Sequence, residues 1–364
     1  MTALFTPYTL KDVTLRNRIV ASPMCQYMAK DGLLGDWHHT HYEGLARGGA
    51  GLVVVEATAV SPEGRITPGD AGLWKDEQIS GLASVANAIT KACAVAGIQL
   101  SHAGRKAGCT PPWEGGTPLP KENPDAWQPV SVSALPYMPS APHIPIALTT
   151  EDIKRVQQDF ADAADRALSA GFRWVELHFA HGFLAQNFLS RHSNDRIDQY
   201  GGSLENRARF LLETVAAVRK VWPQSLPLTI RLGIVEFDEH FDESFNESIQ
   251  VLKWLKDAGV DLVDAGLAGS TPGEKVPWWP NFMVPYAERI RQETGLQVAT
   301  SWLIKSPQEA DAFIREERLD LVFLARSLLA NPHWPFHAAR ELKLERSEEL
   351  LPTSYAYWLK NWEA

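Results

Sequence analysis

Eight short apolar runs, most of them followed by a stretch of helical periodicity, constrain this chain more than any other feature. They cover residues 18–24, 52–57, 98–102, 172–177, 228–233, 260–265, 297–301 and 319–325. Helix-compatible segments lie between and after them, at 40–47, 77–96, 150–170, 205–221, 242–258, 284–293, 306–316 and 333–342, the third capped by Thr149 or Thr150. Strands joined through helices must run parallel with right-handed crossovers. Because no G-x-G-x-x-G pattern follows the first strand, a closed (β/α)8 TIM barrel fits this α/β chain better than an open sheet. Residues 8–15 alternate around Lys11-Asp12 and read as a hairpin that plugs the bottom of the barrel.

One segment breaks the rhythm. Residues 104–149 follow the third strand with prolines at 111, 112, 118, 120, 124, 129, 136, 139, 142 and 145 and almost no periodicity. Such a stretch inside a compact domain is expected to be an active-site lid, here one that includes a small hairpin and packs through Trp113, Trp127 and Tyr137. Residues 1–364 are read as a single barrel domain with that insertion, and 344–364 as a C-terminal tail near the active site or a subunit interface.

Three cysteines, Cys25, Cys93 and Cys109, are an odd number with no C-x-x-C among them, which implies a reducing compartment. No leader and no apolar run long enough to span a bilayer stands out, so a cytoplasmic protein is expected. A net charge of −9, with Lys and Arg spread singly, argues against a nucleic-acid partner.

In such barrels the working residues stand at the carboxyl ends of the strands. Those ends carry Cys25 and Tyr27; Glu56, Ala57 and Thr58; Gln99, His102 and Arg105; His178, His181 and Phe183; Arg231; Ser301 and Trp302; and Ala325 and Arg326. The set is rich in donors and suits an electron-rich or anionic ligand better than a divalent metal. His178 and His181 would point to opposite faces of a regular strand, so they share one site only if the chain turns, as Gly182 permits. The rival is a hydrolytic zinc site on the two histidines with Asp264 or Glu56. Arg231 in the mouth would repel such a metal.

Ser22-Pro23-Met24-Cys25-Gln26-Tyr27, His178-Phe-Ala-His181-Gly, Ser190-Arg-His-Ser-Asn194-Asp-Arg196, Tyr200-Gly-Gly-Ser-Leu-Glu-Asn-Arg-Ala-Arg209-Phe and Phe323-Leu-Ala-Arg326 occur in this order. Together they resemble the old yellow enzyme family of FMN-dependent ene-reductases, and within it the thermophilic-like branch with the xenobiotic reductases. The resemblance implies FMN at the top of the barrel, reduced by NADPH or NADH. It implies that Pro23, Met24 and Cys25 flank the flavin, that Cys25 tunes its potential, and that Ala57 and Gln99 bond its O4/N3 edge. Arg231 would face N1 and C2=O, while the backbone at Trp302, Leu303 and Ile304 and at Ala325, with Arg326, would hold the phosphate. His178 and His181 would donate to the carbonyl or nitro oxygen of an enone, enal or nitro substrate, with Tyr27, Trp302 and Trp358 as pocket walls. No metal ligand set is assigned, the cysteine cluster of iron–sulfur relatives is missing, and a homo-oligomer, dimer or tetramer, is expected.

Two departures stand out. Phe183 occupies the place where the family usually has a tyrosine that protonates the α-carbon, and phenylalanine has no proton to give. Water or Tyr27 would then act as acid, or the net reaction would become a redox-neutral C=C isomerisation. Leu303 and Ala325 stand where relatives often have glycine, so a backbone needing positive φ there would be strained, and a flavin-binding protein with little turnover is the remote alternative.

Overall fold

A computed structural model describes residues 2–362. β1 (Tyr8–Leu10) and β2 (Val13–Leu15) form an antiparallel hairpin, Tyr8 opposite Leu15. The Asp12 amide donates to the Ser225 carbonyl just before the fifth barrel strand, and Lys11 pairs with Asp261 before the sixth at 3.1 Å. The hairpin therefore closes the amino-terminal end of the barrel, as its alternation predicts, burying Tyr8, Val13 and Leu15.

In chain order the remaining strands are β3 (Ile19–Ala21), β4 (Leu52–Ala59), β5 (Val95–Ser101), β6 (Val130–Ser131), β7 (Ile146–Ala147), β8 (Trp174–Phe179), β9 (Leu228–Val235), β10 (Leu262–Leu267), β11 (Gln297–Thr300) and β12 (Leu321–Leu324). All but β6 and β7 join a closed barrel of parallel strands in sequence order, β12 returning to β3 through Val322–Ile19 and Leu324–Ala21. Runs such as Leu52-Val53-Val54-Val55 are buried on both faces, as parallel strands covered by helices must be.

The helices α1 (Asp36–Arg47), α2 (Ile79–Lys91), α3 (Thr150–Ser169), α4 (Leu184–Leu189), α5 (Leu204–Val221), α6 (Phe241–Asp257), α7 (Val284–Thr294), α8 (Pro307–Arg315), α9 (Arg326–Ala330), α10 (Trp334–Glu341) and α11 (Thr353–Leu359) follow the strands or close the chain. Thr149, not Thr150, caps α3: its Oγ1 accepts the Asp152 amide while Asp152 accepts the Thr149 amide, a reciprocal box. No described helix is long and apolar enough to cross a membrane.

Two sequence expectations fail locally. Helix α2 stops at Lys91 instead of Ala96, because Cys93 turns left-handed at φ 64 and Val95 already donates to Gly51 as part of β5. The strands β6 and β7 of the 104–149 segment pair in parallel, Val130 with Ile146, so they are not a hairpin; the chain between them makes the crossover.

β4 carries a bulge: Val55 pairs with Ile98 and Ala57 with Gln99, leaving Glu56 without a partner residue on β5. The extra residue re-aims the strand end, a device common beside active sites.

Candidate active site

The histidine pair is assembled by an abrupt turn at the end of β8. His181 at φ 60 and Gly182 at φ 68 are consecutive left-handed residues. That reversal brings both imidazoles to one place. A Cβ on Gly182 would lie 2.2 Å from the Gly269 carbonyl, so only glycine fits. Lys106 Nζ locks the turn, donating to the carbonyls of His181 at 2.7 Å and Gly269 at 2.8 Å. Burial pushes this ammonium down to about 8.

The hydrogen bonds set the tautomers. The Ala180 amide donates to His178 Nδ1, which leaves the proton on Nε2. His178 Nε2 lies 3.2 Å from His181 Nδ1 and donates to it, so His181 carries its proton on Nε2. That Nε2 is buried and has no partner among the described residues. Burial first, then the neighbouring cations Arg231 and Lys106, hold both imidazoles well below their ordinary pKa, with His181 adding to the effect on His178. The pair is a neutral donor at pH 7. Phe183 packs its ring 4.8 Å from His178 and stands at the N-cap position just before α4.

Two cavities flank the pair. The first, about 210 Å³, runs from Ser22, Pro23 and Arg231 past Trp302 to Lys305 and Arg326. Arg231 is buried, its Nε donating to Asp264 Oδ2 at 2.5 Å and a terminal nitrogen to Ser22 Oγ at 2.9 Å. Trp302 stacks edge-on to His181 at 5.9 Å. Leu303 has φ 59, the strained left-handed backbone foreseen for a residue standing in a glycine's place. Ala325 has φ −111, so no glycine is required there.

The second cavity, also about 210 Å³, lies under residues 104–149 and is lined by Tyr27, Arg105, Lys106, Cys109, Tyr137 and Phe183. Tyr137 lies over Lys106 at 4.1 Å, Arg105 donates to the Leu135 carbonyl, and Trp113 packs on Tyr27 at 5.7 Å. Tyr27 is itself left-handed at φ 55, strain concentrated where function is expected. Cys25 is half-buried beside it, and burial followed by the charges of Asp70 and Glu56 raises its thiol well above the usual value. The sulfur is a thiol and not a thiolate.

Glu176 and Lys106 escape a reading of motifs, and Glu56, read as a strand-end residue, takes a role the sequence does not assign it. Glu176 accepts from Gln99 Nε2 at 2.7 Å and orients that amide; burial and the charge of Asp264 push its carboxyl up to about 8. Glu56, at the bulge, accepts the Gln26 amide and the Tyr42 hydroxyl, each at 2.8 Å, and is pushed up to about 7 by burial. A carboxylate inside an apolar strand run is the signal for both. Asp264 is thus engaged with Arg231 through Oδ2, and Glu56 with Tyr42 and Gln26. His102 lines neither cavity; its Nδ1 accepts the Gly104 amide. Trp358 is not brought to the mouth of its own barrel: it stands 78% exposed on α11 against Tyr357.

Residues 3–345 match the NADH:flavin oxidoreductase / NADH oxidase family. The chain belongs to this family, the old yellow enzymes. It is 42% identical over 344 residues to the NADPH dehydrogenase of Geobacillus thermodenitrificans, covering 94% of this chain and 95% of that one. The NADPH dehydrogenase of Halalkalibacterium halodurans is 42% identical over 341 residues, with 93% and 94% covered. Among solved structures, morphinone reductase superposes with a TM-score of 0.77 at 29% identity over 93% of this chain and 89% of its own. A 2-naphthoyl-CoA reductase complex gives 0.81 at 25% identity over 97% of this chain and 54% of the other. This old yellow enzyme is an NAD(P)H-dependent FMN oxidoreductase. The first cavity fits the cofactor: it is a donor-lined cleft with the buried cation Arg231 inside and Lys305 and Arg326 at its rim, and an anionic flavin mononucleotide needs that set.

Proposed function

We propose that this enzyme reduces activated C=C bonds of α,β-unsaturated carbonyl or nitro compounds, with NADPH or NADH as reductant. The unpartnered buried Nε2–H of His181, a residue lining the first cavity, carries this reading, because a neutral donor polarises an acceptor oxygen without protonating it. Bound FMN supplies the hydride, taken from the nicotinamide and delivered to the β-carbon. Pro23, Met24, Cys25, Ala57 and Gln99 would line its ring and Arg231 its electron-rich edge; Trp302, Leu303, Ala325 and Arg326 would hold its phosphate. His178 and His181 grip the substrate oxygen, which takes the place of the contact between their rings. Trp302 walls the pocket.

Residues 104–149 act as the lid over the second cavity, which receives the rest of the substrate and excludes water. Tyr27 shares that cavity with Phe183 and brings a phenol with its proton, since burial holds its pKa well above the ordinary value. We assign Tyr27 the α-carbon protonation that Phe183 lacks. The exposed aromatic face of α11, with Tyr357 and Trp358, is where a second copy would dock in the expected homo-oligomer.

The missing hydroxyl at Phe183 favours one second reading, redox-neutral isomerisation of the double bond. Assays of an enone with NADPH in deuterated water separate the two. Saturated product with one solvent deuteron at the α-carbon and one NADPH consumed per turnover supports reduction, and its loss in Tyr27→Phe supports Tyr27 as acid. Shifted-alkene product without NADPH use supports isomerisation and overturns the reductase.

A further inference from the structure

We infer that His192, Glu236 and Asp238 form a binding site for one divalent first-row cation, of the zinc or cobalt type, on the rim of the barrel. His192 lies on the loop after α4, Glu236 directly follows β9, and Asp238 is two residues further on. One ligand atom from each falls within 4.8 Å of the others. His192 Nε2 is 2.6 Å from Asp238 Oδ2 and 3.5 Å from Glu236 Oε2. Ligand atoms bound at about 2.0–2.1 Å around a tetrahedral zinc are about 3.3 Å apart, so the three need move only slightly to receive an ion.

The independent pointer is Glu236. Its side chain is nine-tenths buried, yet Oε1 has no hydrogen-bond partner among the described residues. Burying a carboxylate without donors is costly, and a second carboxylate beside it adds to the cost. Glu236 also acts on a third acid, contributing to the raised pKa of Glu274. Arg191 pairs with Glu243 and Glu247 and Arg207 with Glu247, while Arg105 acts on Glu236 through its charge without a hydrogen bond to it. His192 Nε2 meets Asp238 Oδ2 at 2.6 Å and Glu236 Oε2 only at 3.5 Å, which leaves Glu236 Oε1 without a partner among the described residues. A cation on that nitrogen's lone pair satisfies both.

Supporting bonds orient the ligands, as metal sites require. Asp238 Oδ1 accepts the His240 amide at 2.8 Å, and Ser190 Oγ accepts the His192 amide at 3.2 Å. One imidazole with two carboxylates selects zinc, cobalt or nickel over the all-oxygen preference of calcium and magnesium. His192 is 35% exposed at its side chain, leaving a path for entry and a position for water. None of the three lines either cavity of the active site, so the ion would tie the loop after α4 to the end of β9 and take no part in the flavin reaction.

The test uses the FMN-loaded protein, dialysed against a chelator and titrated with zinc chloride by calorimetry, with thermal melts alongside. The expected result is saturable binding of one zinc per chain, a higher melting temperature with zinc, and affinity at least about tenfold weaker in both His192→Ala and Asp238→Asn. FMN content and the flavin spectrum should not change in either variant. Absence of saturable binding, or equal binding in both variants, overturns the site.

Discussion

Phe183 touches His178 across 4.8 Å and lines the second cavity, but its ring carries no hydroxyl. General acid catalysis by a positioned group is worth about 10²–10⁴ in rate, so restoring a phenol at this position should speed the step that consumes the enone. Phe183→Tyr is expected to accelerate flavin reoxidation by 2-cyclohexenone about tenfold or more, with the NADPH half-reaction unchanged in stopped-flow traces. Equal rates would mean that Tyr27 already suffices. The histidines make a second residue-scale prediction. Both have folded pKa values pushed below the unfolded value near 6.5, so the stability they contribute is complete above that pH and is lost as pH falls below it. The stability gap between the wild type and His181→Asn should narrow below pH 6.5, while the wild-type pH–rate profile shows no histidine inflection there. Leu303 supplies the third. A left-handed non-glycine residue costs about 1–2 kcal/mol, part of which glycine's flexibility gives back. Leu303→Gly should raise the melting temperature by about 1–2 °C; Ala325→Gly, at φ −111, should not.

At the scale of elements, one lysine couples three of them. Lys106, just after β5, clamps the His181 turn to Gly269 after β10 and lies under Tyr137 of the 104–149 segment. Lys106→Met keeps the stem and removes both hydrogen bonds, so enone turnover should fall about tenfold as the His181 carbonyl loses its partner. FMN content should stay at the wild-type level, measured from the flavin spectrum. The strands and helices themselves are legible because each apolar run is buried on both faces, and periodicity reports burial. The bulge at Glu56 is not legible, since one inserted residue changes a strand's facing without changing its composition. Nor is the parallel pairing of β6 and β7, two-residue strands in a proline-rich segment with no periodicity to read. Helix α2 is overextended in the sequence because Ala92–Ala96 is as apolar as the helix before it.

At the scale of the whole molecule, the closed barrel does what eight alternating units require and gathers their carboxyl ends around one mouth. His178, His181, Tyr27, Phe183 and Trp302 meet there because each follows a barrel strand or lies at its end, and Arg231 joins them from within β9, which is why that part of the site can be read from order alone. Glu176, Lys106 and Glu56 act on those residues from behind, and only packing reveals which partner each one has. The cluster of His192, Glu236 and Asp238 is invisible in the sequence for the same reason, its histidine 46 residues from Asp238. Trp358 remains exposed on the outer face.

The most direct measurement of the central claim is an anaerobic one on the purified protein: record its visible spectrum, add NADPH, then add 2-cyclohexenone and analyse the product. The account expects a flavin spectrum that bleaches with NADPH and returns as cyclohexanone forms, more slowly than in Phe183→Tyr. A protein that neither carries nor takes up FMN, or a bleached flavin that the enone fails to reoxidise in both forms, would contradict it.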